Sequence, residues 1–164
     1  MRRFVKEISL LMGWLLVLVV LKTFVITPVQ VDGSSMNQTL KNQDRGFIYK
    51  LSPIQRYDIV VFNTVLEGNE TQFIKRVIGL PGETIVSREQ DIYIDGERLM
   101  VDVPLRGVEL TGDFTYIIPK DHYFVLGDNR GDSTDSRVIG SISKESIVGK
   151  FIFRFAPYQN MESF

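Results

Sequence analysis

The chain begins with an unbroken apolar stretch and then changes to short alternating runs. Residues 8–26 (ISLLMGWLLVLVVLKTFVI) carry a single charge, at Lys22. As a helix rising about 1.5 Å per residue, this stretch spans roughly 28 Å, close to the thickness of the hydrocarbon core of a bilayer. A cleavable signal peptide has a shorter apolar region, of about 7 to 15 residues, and ends in small residues. This stretch instead ends in FVI before Thr27 and Pro28, so the pattern predicts an uncleaved transmembrane anchor over residues 8–26.

The basic residues around the anchor predict its orientation. Arg2, Arg3 and Lys6 precede it, and Lys22 near its other end can extend its ammonium group to the interface. Positive residues beside a membrane span favour the cytoplasmic side. We therefore expect residues 1–7 to form a short cytoplasmic N-terminus of a single-pass cell-membrane protein whose remaining chain is extracytoplasmic.

Residues 28–164 show short β-like runs separated by Gly, Pro, Asn and Asp, a pattern typical of an all-β domain. An Asp95-Gly96 pair between two such runs predicts a tight hairpin. Outside the anchor, only single turns are expected, near 36–40 and 143–146. The fold class is therefore mainly β with one N-terminal transmembrane helix, and a small hairpin insertion is expected at about 84–118. The predicted strands are 29–32, 46–50, 58–63, 73–78, 92–94, 97–99, 116–118, 123–126 and 147–155.

Composition excludes several classes of function. Lys and Arg (19) nearly balance Asp and Glu (20), which gives no electrostatic reason to expect nucleic acid as a partner. The chain has no cysteine, so disulfides and thiol chemistry are excluded. With only one histidine, His122, a histidine-rich zinc site is excluded, and no metal or cofactor is expected. His122 lies in a turn-like segment and is interpreted as a half-exposed turn residue and not as a base.

Three polar clusters carry the candidate chemistry: residues 33–36 (GSSM), 73–82 (FIKRVIGLPG) and 127–137 (GDNRGDSTDSR). They supply hydroxyl groups, an amine and a polar loop. A serine hydroxyl is a weak nucleophile until a neighbouring group accepts its proton. With His122 interpreted as a turn residue, that acceptor would be a carboxylate or a neutral lysine. Lowering the pKa of a lysine from about 10.4 to about 8 requires roughly 3.3 kcal/mol, which burial among apolar side chains can supply.

Lys75 is the candidate base of the second cluster. Strand alternation places Lys75 on one face with Phe73 and its neighbour Arg76 on the other. One of these two cations must therefore point inward or toward a packed partner. Arginine stays protonated in proteins, so Lys75 is the only one of the two that could act as a base. Edge-strand charges that discourage aggregation are the competing interpretation of this pair.

In this order, behind an anchor, the clusters resemble bacterial type I signal peptidases, the membrane-anchored Ser/Lys proteases of exported proteins, in their compact Gram-positive form. The resemblance extends from the anchor to the strand near Ile152. It implies a signal-peptidase-like fold of coiled, barrel-like antiparallel sheets. It also implies that Ser35 is the nucleophile, that the Ser35 backbone N–H is an oxyanion donor, and that Lys75 is the general base. The supporting polar residues that it implies are Ser133, which helps to position the lysine, and Asp128, Asp135 and Arg137.

The chain departs from the family pattern at four positions. Gln38 replaces a proline, Tyr57 a glycine and Glu83 an aspartate, and we expect these changes to alter loop stiffness while activity is retained. Gly33 stands where the Gram-negative branch has a serine whose hydroxyl donates to the oxyanion. Loss of one such donor lowers rates by about 100- to 1,000-fold, so another amide or a water is expected to compensate.

The resemblance implies a function: removal of N-terminal signal peptides from exported preproteins through an acyl-enzyme, without a cofactor. The expected partners are these preproteins and the lipid bilayer, with the secretion machinery as a further candidate. Because the segments before Ser35 and Lys75 both have strand patterns, we expect the substrate to bind by β-strand addition. Shallow pockets for small side chains are expected around Val29, Val31, Met36 and Phe73.

Three other interpretations were compared with this one. A self-cleaving repressor-type Ser/Lys protease shares the dyad and the β-rich fold but is soluble and carries a DNA-binding module. A noncatalytic anchored relative would hold export substrates without cutting them, although both reacting residues are present here. A penicillin-binding enzyme needs Ser-x-x-Lys, whereas Gln38 is the third residue after Ser35.

Overall fold

The computed structural model describes residues 2–89, 91–99 and 113–164. Helix α1 (Arg2–Phe24) contains a stretch, Lys6–Phe24, that is long and apolar enough to cross a membrane and is not buried against the rest of the protein. The helix ends two residues before the end of the predicted anchor. Ile26 instead begins the first strand, where it pairs with Tyr49.

The rest of the described chain is mainly β, which confirms the predicted fold class. Its strands are β1 (Ile26–Gln30), β2 (Arg45–Tyr49), β3 (Ile59–Leu66), β4 (Asn69–Gly79), β5 (Thr84–Arg88), β6 (Asp91–Ile94), β7 (Glu97–Arg98), β8 (Phe114–Ile117), β9 (His122–Leu126), β10 (Ile142–Ser143), β11 (Ile147–Ala156) and β12 (Glu162–Ser163). A short helix, α2 (Ser136–Ile139), and two 3₁₀ turns (Lys144–Ser146 and Tyr158–Asn160) complete it.

The strands form two antiparallel sheets. The larger has the order β1-β2-β11-β3-β4-β9-β10, with β12 paired to β11, and the smaller has the order β7-β6-β5-β8. Strand β3 shows that both faces of the larger sheet are covered: Ile59 and Val61 pack in one apolar cluster, whereas Val60 and Phe62 pack in another. Strand β3 is therefore buried on both of its faces.

The smaller sheet contains the predicted hairpin. Asp95 and Gly96 have φ of +50° and +88°, the backbone that a two-residue type I′ turn requires. The elements additional to the predicted ones are strands β5, β10 and β12, helix α2 and the 3₁₀ turn Tyr158–Asn160. The predicted insertion at about 84–118 includes residues 90 and 100–112, which lie outside the described residues; its described part forms this sheet.

Candidate active site

The candidate nucleophile lies in the loop that follows β1. Val31 and Met36, on either side of the loop, are buried in the same apolar cluster, so residues 32–35 form a turn at the surface between two core anchors. Gly33 has φ +92°, a conformation that glycine adopts without strain, and its N–H donates to Asn42 Oδ1 at 3.0 Å. The Gly33 amide is thus occupied within the fold, and Ser35 is half-buried at the end of the turn.

Strand β4 brings Lys75 to this turn. Lys75 pairs with Val60 of β3, and its Nζ donates to Ser35 Oγ at 2.7 Å. The same Nζ donates to the Ile74 carbonyl at 3.1 Å and lies 4.8 Å from the centre of the Phe73 ring. Lys75 is 3% exposed. The structure therefore places an almost fully buried amine within hydrogen-bond distance of one serine hydroxyl.

Burial lowers the pKa of Lys75 from 10.5 to about 8, and the negative charge of Asp135 opposes this shift. Removing an ammonium group from water disfavours its charged form, which is why desolvation is the larger effect. A pKa near 8 agrees with the value expected of a lysine that acts as the base. A useful fraction of the amine is therefore neutral in mildly alkaline solution.

The second cation of β4, Arg76, is also buried, on the opposite face of the strand. Its guanidinium group donates to both carboxylate oxygens of Asp128, at 2.9 and 2.7 Å, and to the Tyr57 carbonyl at 2.9 Å. The Thr39 hydroxyl donates to the same carboxylate at 2.5 Å. Both cations thus point toward packed partners, and the Arg76–Asp128 pair fixes the third polar cluster to β4.

The third cluster is braced from within by Asp135. This carboxylate accepts hydrogen bonds from the Gly127 N–H at 3.0 Å and from the Arg137 guanidinium group at 2.8 and 2.9 Å. Asp135 is also the N-cap of α2, and Arg137 donates to the Arg130 carbonyl at 2.7 Å. The supporting residues Asp128, Asp135 and Arg137 therefore lie in one connected polar network beside the Ser35–Lys75 pair.

Ser133 lines the same cleft as Ser35 and Lys75, but its hydroxyl makes no hydrogen bond to the lysine. Ser133 packs closely on Gly127: a Cβ atom at Gly127 would lie 2.2 Å from Ser133 Oγ and 2.6 Å from the Ser35 carbonyl oxygen. Only glycine fits at position 127 in this packing.

A cleft of about 380 Å³ opens in front of the dyad. Two of the four expected pocket residues, Val29 and Phe73, line it. The other two do not: Val31 and Met36 are 3% and 1% exposed and pack in the core below the loop. For these two residues the expected role as pocket walls is not supported, because their strand and loop positions point them inward.

Comparison with known proteins identifies the family of this chain. The sequence profile of a family described as "Signal peptidase, peptidase S26" matches residues 1–156. The chain belongs to this signal peptidase family. Signal peptidase I T of Bacillus subtilis (strain 168) is 37% identical over 160 residues, which cover 89% of this chain and 82% of the relative. Signal peptidase IB of Staphylococcus aureus (strain N315) is 33% identical over 178 aligned residues, which cover 94% of this chain and 90% of the relative.

A solved structure is similar as well. The crystal structure of a signal peptidase I from Enterococcus faecalis V583 aligns with a TM-score of 0.53 and 36% sequence identity, covering 60% of this chain and 97% of that one. Members of the family are serine endopeptidases, and this signal peptidase is therefore an enzyme of that class.

Three of the residues that depart from the family pattern have a distinctive backbone conformation or distinctive side-chain contacts. Gln38 has φ +94°, which a proline, with φ near −65°, could not adopt. Tyr57 has φ +74°, a conformation that the glycine of the pattern would adopt without strain. Glu83 accepts from the Arg56 guanidinium group at 2.6 Å and from the Leu80 N–H at 2.7 Å. The longer side chain at position 83 thus holds a turn beside β4.

Sequence reasoning did not identify three contributors to this site: Thr39, the pairing role of Arg76, and Asn129. Asn129 donates from its backbone N–H and its side chain to the Ser35 loop. Its place within the third polar cluster was the only local signal. His122 is half-exposed, as predicted, but it begins β9 and is not a turn residue. Its Nδ1 lies 3.1 Å from the Lys120 carbonyl, and it does not line the cleft.

Proposed function

We propose that this protein removes N-terminal signal peptides from exported preproteins, with Ser35 as nucleophile and Lys75 as general base. The observation that carries the proposal is the 2.7 Å contact between Ser35 Oγ and the nearly buried Lys75 Nζ. An amine with a pKa of about 8 is neutral often enough to accept the serine proton. Membership of the signal peptidase family supports the same substrate class.

The reaction proceeds in two halves. Neutral Lys75 takes the proton of Ser35, and the serine oxygen forms a bond to the carbonyl carbon of the scissile peptide. The carbonyl oxygen becomes an oxyanion, for which the Ser35 N–H is a donor. Protonated Lys75 then gives its proton to the leaving amine, the C–N bond breaks and an acyl-enzyme remains. In the second half, Lys75 takes a proton from water, the water oxygen attacks the ester, and Ser35 leaves with the proton.

Two open strand edges beside the cleft support binding of an extended substrate. Among the strands that the structure describes, β1 is the outermost of the larger sheet and pairs only with β2. In β4, residues 72–75 pair with β3, whereas β9 begins to pair only at Arg76. Within the described chain, the other edge of residues 72–75 is thus free to bond to a peptide backbone. Val29 and Phe73, one from each strand, are the proposed pocket walls for small side chains.

The location and partners are proposed from the anchor. Basic residues in the first turns of α1 favour a cytoplasmic N-terminus, and the cleft would then lie outside the cell, where exported preproteins emerge. The bilayer holds α1, so enzyme and membrane-bound substrate meet by diffusion in two dimensions. The secretion machinery is the proposed source of substrate. Ser133, which lines the cleft beside Lys75, is the proposed hydroxyl that keeps the lysine in position.

The deciding experiment is cleavage of a labelled preprotein by the purified full-length protein in detergent, with sequencing of the new N-terminus. Wild-type protein should release one mature product. Ser35→Ala and Lys75→Arg should abolish release while the circular dichroism spectrum stays unchanged, because neither variant has both a nucleophile and a base. Ser52→Ala and Lys120→Arg, which lie outside the cleft, are the matched controls. Full activity of Lys75→Arg, or binding of preprotein without cleavage by the wild type, would contradict the proposal.

A further inference from the structure

One residue of the third cluster, Asn129, bonds to two carbonyls of the loop that carries Ser35. The Asn129 backbone N–H donates to the Ser35 carbonyl at 2.9 Å, and Asn129 Nδ2 donates to the Ser34 carbonyl at 3.1 Å. Two consecutive carbonyls of the nucleophile loop therefore accept hydrogen bonds from the same residue, Asn129. Asn129 itself does not line the cleft in front of the dyad.

These bonds determine which way the Ser35 amide points. The Ser34–Ser35 peptide is trans, so its carbonyl and its N–H point in opposite directions within one plane. Because the Ser34 carbonyl is held toward Asn129, the Ser35 N–H is turned away from Asn129. Among the described residues, this N–H has no hydrogen-bond acceptor. An unpaired N–H on the residue that bears the nucleophile is suited to an oxyanion.

We propose that Asn129 is a positioning residue that orients the Ser34–Ser35 peptide, so that the Ser35 N–H is preset to donate to the oxyanion. This inference rests on the proposed function and adds a residue to it. An asparagine suits the role because its side-chain amide donates where a carboxylate or an alkyl group cannot. Gly33 has no side-chain hydroxyl to donate to the oxyanion, and its N–H is bonded to Asn42. The orientation of the Ser35 N–H is therefore more important in this chain.

The anchoring of Asn129 supports the role. The preceding residue, Asp128, is bound to Arg76, which fixes Asn129 relative to β4 and hence to Lys75. The Asn129 carbonyl accepts from the Asp132 N–H at 3.1 Å, and the Asp132 carboxylate accepts from the Ser34 hydroxyl. The two loops are thus joined by the Ser34 side chain as well as by the two carbonyl contacts.

One further contact limits the size of the effect. The Ser34 carbonyl also accepts from the Asn37 N–H at 2.9 Å, inside its own loop. Removal of the Asn129 side chain therefore loosens the peptide without releasing it. We expect a loss of about tenfold in kcat, smaller than the roughly 100- to 1,000-fold that follows deletion of an oxyanion donor itself.

The test compares Asn129→Leu, which keeps size but not the donor, with the wild type and with Asn69→Leu. Asn69 is exposed, its Nδ2 also donates to a backbone carbonyl, that of Glu67, and it does not line the cleft, so it is the matched control. kcat and KM are measured with a peptide substrate, and affinity is measured for a tripeptide aldehyde with small side chains. The aldehyde carbon bonds to Ser35 Oγ, its oxygen becomes the oxyanion and the serine proton passes to Lys75. The adduct thus needs the same donor as the transition state.

The expected result for Asn129→Leu is a kcat and an aldehyde affinity that both fall about tenfold, with KM within about twofold of the wild type. The inference is overturned if kcat is unchanged, if KM rises by as much as kcat falls, or if aldehyde affinity stays at the wild-type value. If Asn129→Leu does not fold, Asn129→Ala, which keeps the backbone N–H, is judged by the same criteria. A wild-type protein that neither cleaves nor binds the aldehyde would contradict the proposed function itself, and this inference with it.

Discussion

The Lys75 side chain combines burial with a hydroxyl partner, and its titration should control the rate. With a pKa of about 8, Lys75 is mostly charged in neutral solution. We predict that kcat/KM rises about tenfold per pH unit below pH 8 and levels off above it, because only the neutral amine can accept the serine proton. The measurement is peptide cleavage from pH 6 to 10, with circular dichroism at each pH. A profile that is flat, or centred near 10, would contradict a buried base.

The burial of Lys75 should also make the free energy of unfolding depend on pH. The folded pKa of Lys75, about 8, lies below the unfolded value of 10.5. Between these values the unfolded chain holds a proton that the folded protein has released, so this lysine makes stability rise with pH from 8 to 10.5. Below pH 8 the fold carries a buried ammonium group, which is destabilising by up to about 3 kcal/mol.

Lys75→Met should therefore raise the free energy of unfolding at pH 7, by up to about 3 kcal/mol less the lost contact with Ser35. The gain should shrink as the pH increases toward 10.5. Urea denaturation of both proteins at pH 7 and pH 9.5 provides the comparison. An equal gain at the two pH values would show that the amine is not desolvated in the wild type.

At the scale of single residues, the sequence was sufficient to identify Lys75 as the candidate base, but it did not reveal the partner of its neighbour, Arg76. Lys75 could be chosen because Arg76 cannot lose its proton. The partner of Arg76 could not be inferred, since Asp128 is 52 residues away and no local pattern connects them. Val29 and Val31 were equally ambiguous: strand alternation puts both on one face, and both pack against the same apolar cluster, but alternation does not show that only Val29 also lines the cleft.

Among the elements, the nucleophile loop and the loop of residues 127–137 meet at Gly127. We predict that Gly127→Ala lowers kcat/KM by at least about 100-fold, because a displacement of about 1 Å at a reacting group has that effect. The added methyl group would lie 2.6 Å from both Ser133 Cβ and the Ser35 carbonyl oxygen, so rotation of the Ser133 hydroxyl alone would not relieve the clash and the nucleophile loop would have to move. Cleavage assays and thermal unfolding of the variant test this.

The matched control is Gly96→Asn, in the hairpin of the smaller sheet. Gly96 has φ +88° and open space around its Cα, and asparagine tolerates this conformation. Its activity should stay within about twofold of the wild type, as is usual for surface changes away from a site. Comparable losses in both variants would indicate a general sensitivity to glycine replacement and not a contact at the dyad.

Most strands could be predicted from alternation, and the exceptions have physical reasons. β5 was missed because its core face carries Ile85 and the buried polar residue Ser87, which leaves one apolar position to detect. Helix α2 has four residues, too few to show a helical period. β1 begins before its predicted start because Pro28 interrupts the pattern, although proline is tolerated on an edge strand.

At the scale of the whole molecule, the anchor and the β-domain are joined by a single residue, Val25. The carbonyls at the end of α1 have partners in the β-domain: Lys50 Nζ donates to the Thr23 carbonyl at 2.8 Å, and the Thr27 hydroxyl donates to the Lys22 carbonyl at 3.0 Å. The Lys50 N–H also donates to the Val25 carbonyl at 2.9 Å. This junction sets the direction of α1 relative to the cleft.

We predict that Lys50→Met lowers cleavage of a membrane-inserted preprotein about two- to fivefold and leaves cleavage of a short soluble peptide unchanged. A cation at a helix C-terminus contributes about 0.3 to 1 kcal/mol, and its loss loosens the junction without touching the dyad. Both substrates are assayed in vesicles that contain the full-length enzyme, with the exposed Lys120→Met as control. An equal loss on the two substrates would place the effect of Lys50 in the cleft instead.

The short junction also restricts how a detergent-free enzyme could be produced. A chain cut at the predicted domain boundary, Pro28, would lose the pairs that Ile26 and Thr27 form with β2. Only three pairs would then hold the outermost strand, the one that leads directly to the nucleophile. A cut at Val25 would keep all five pairs. A truncated chain that keeps the whole of β1 must therefore begin no later than Ile26, two residues after the end of α1.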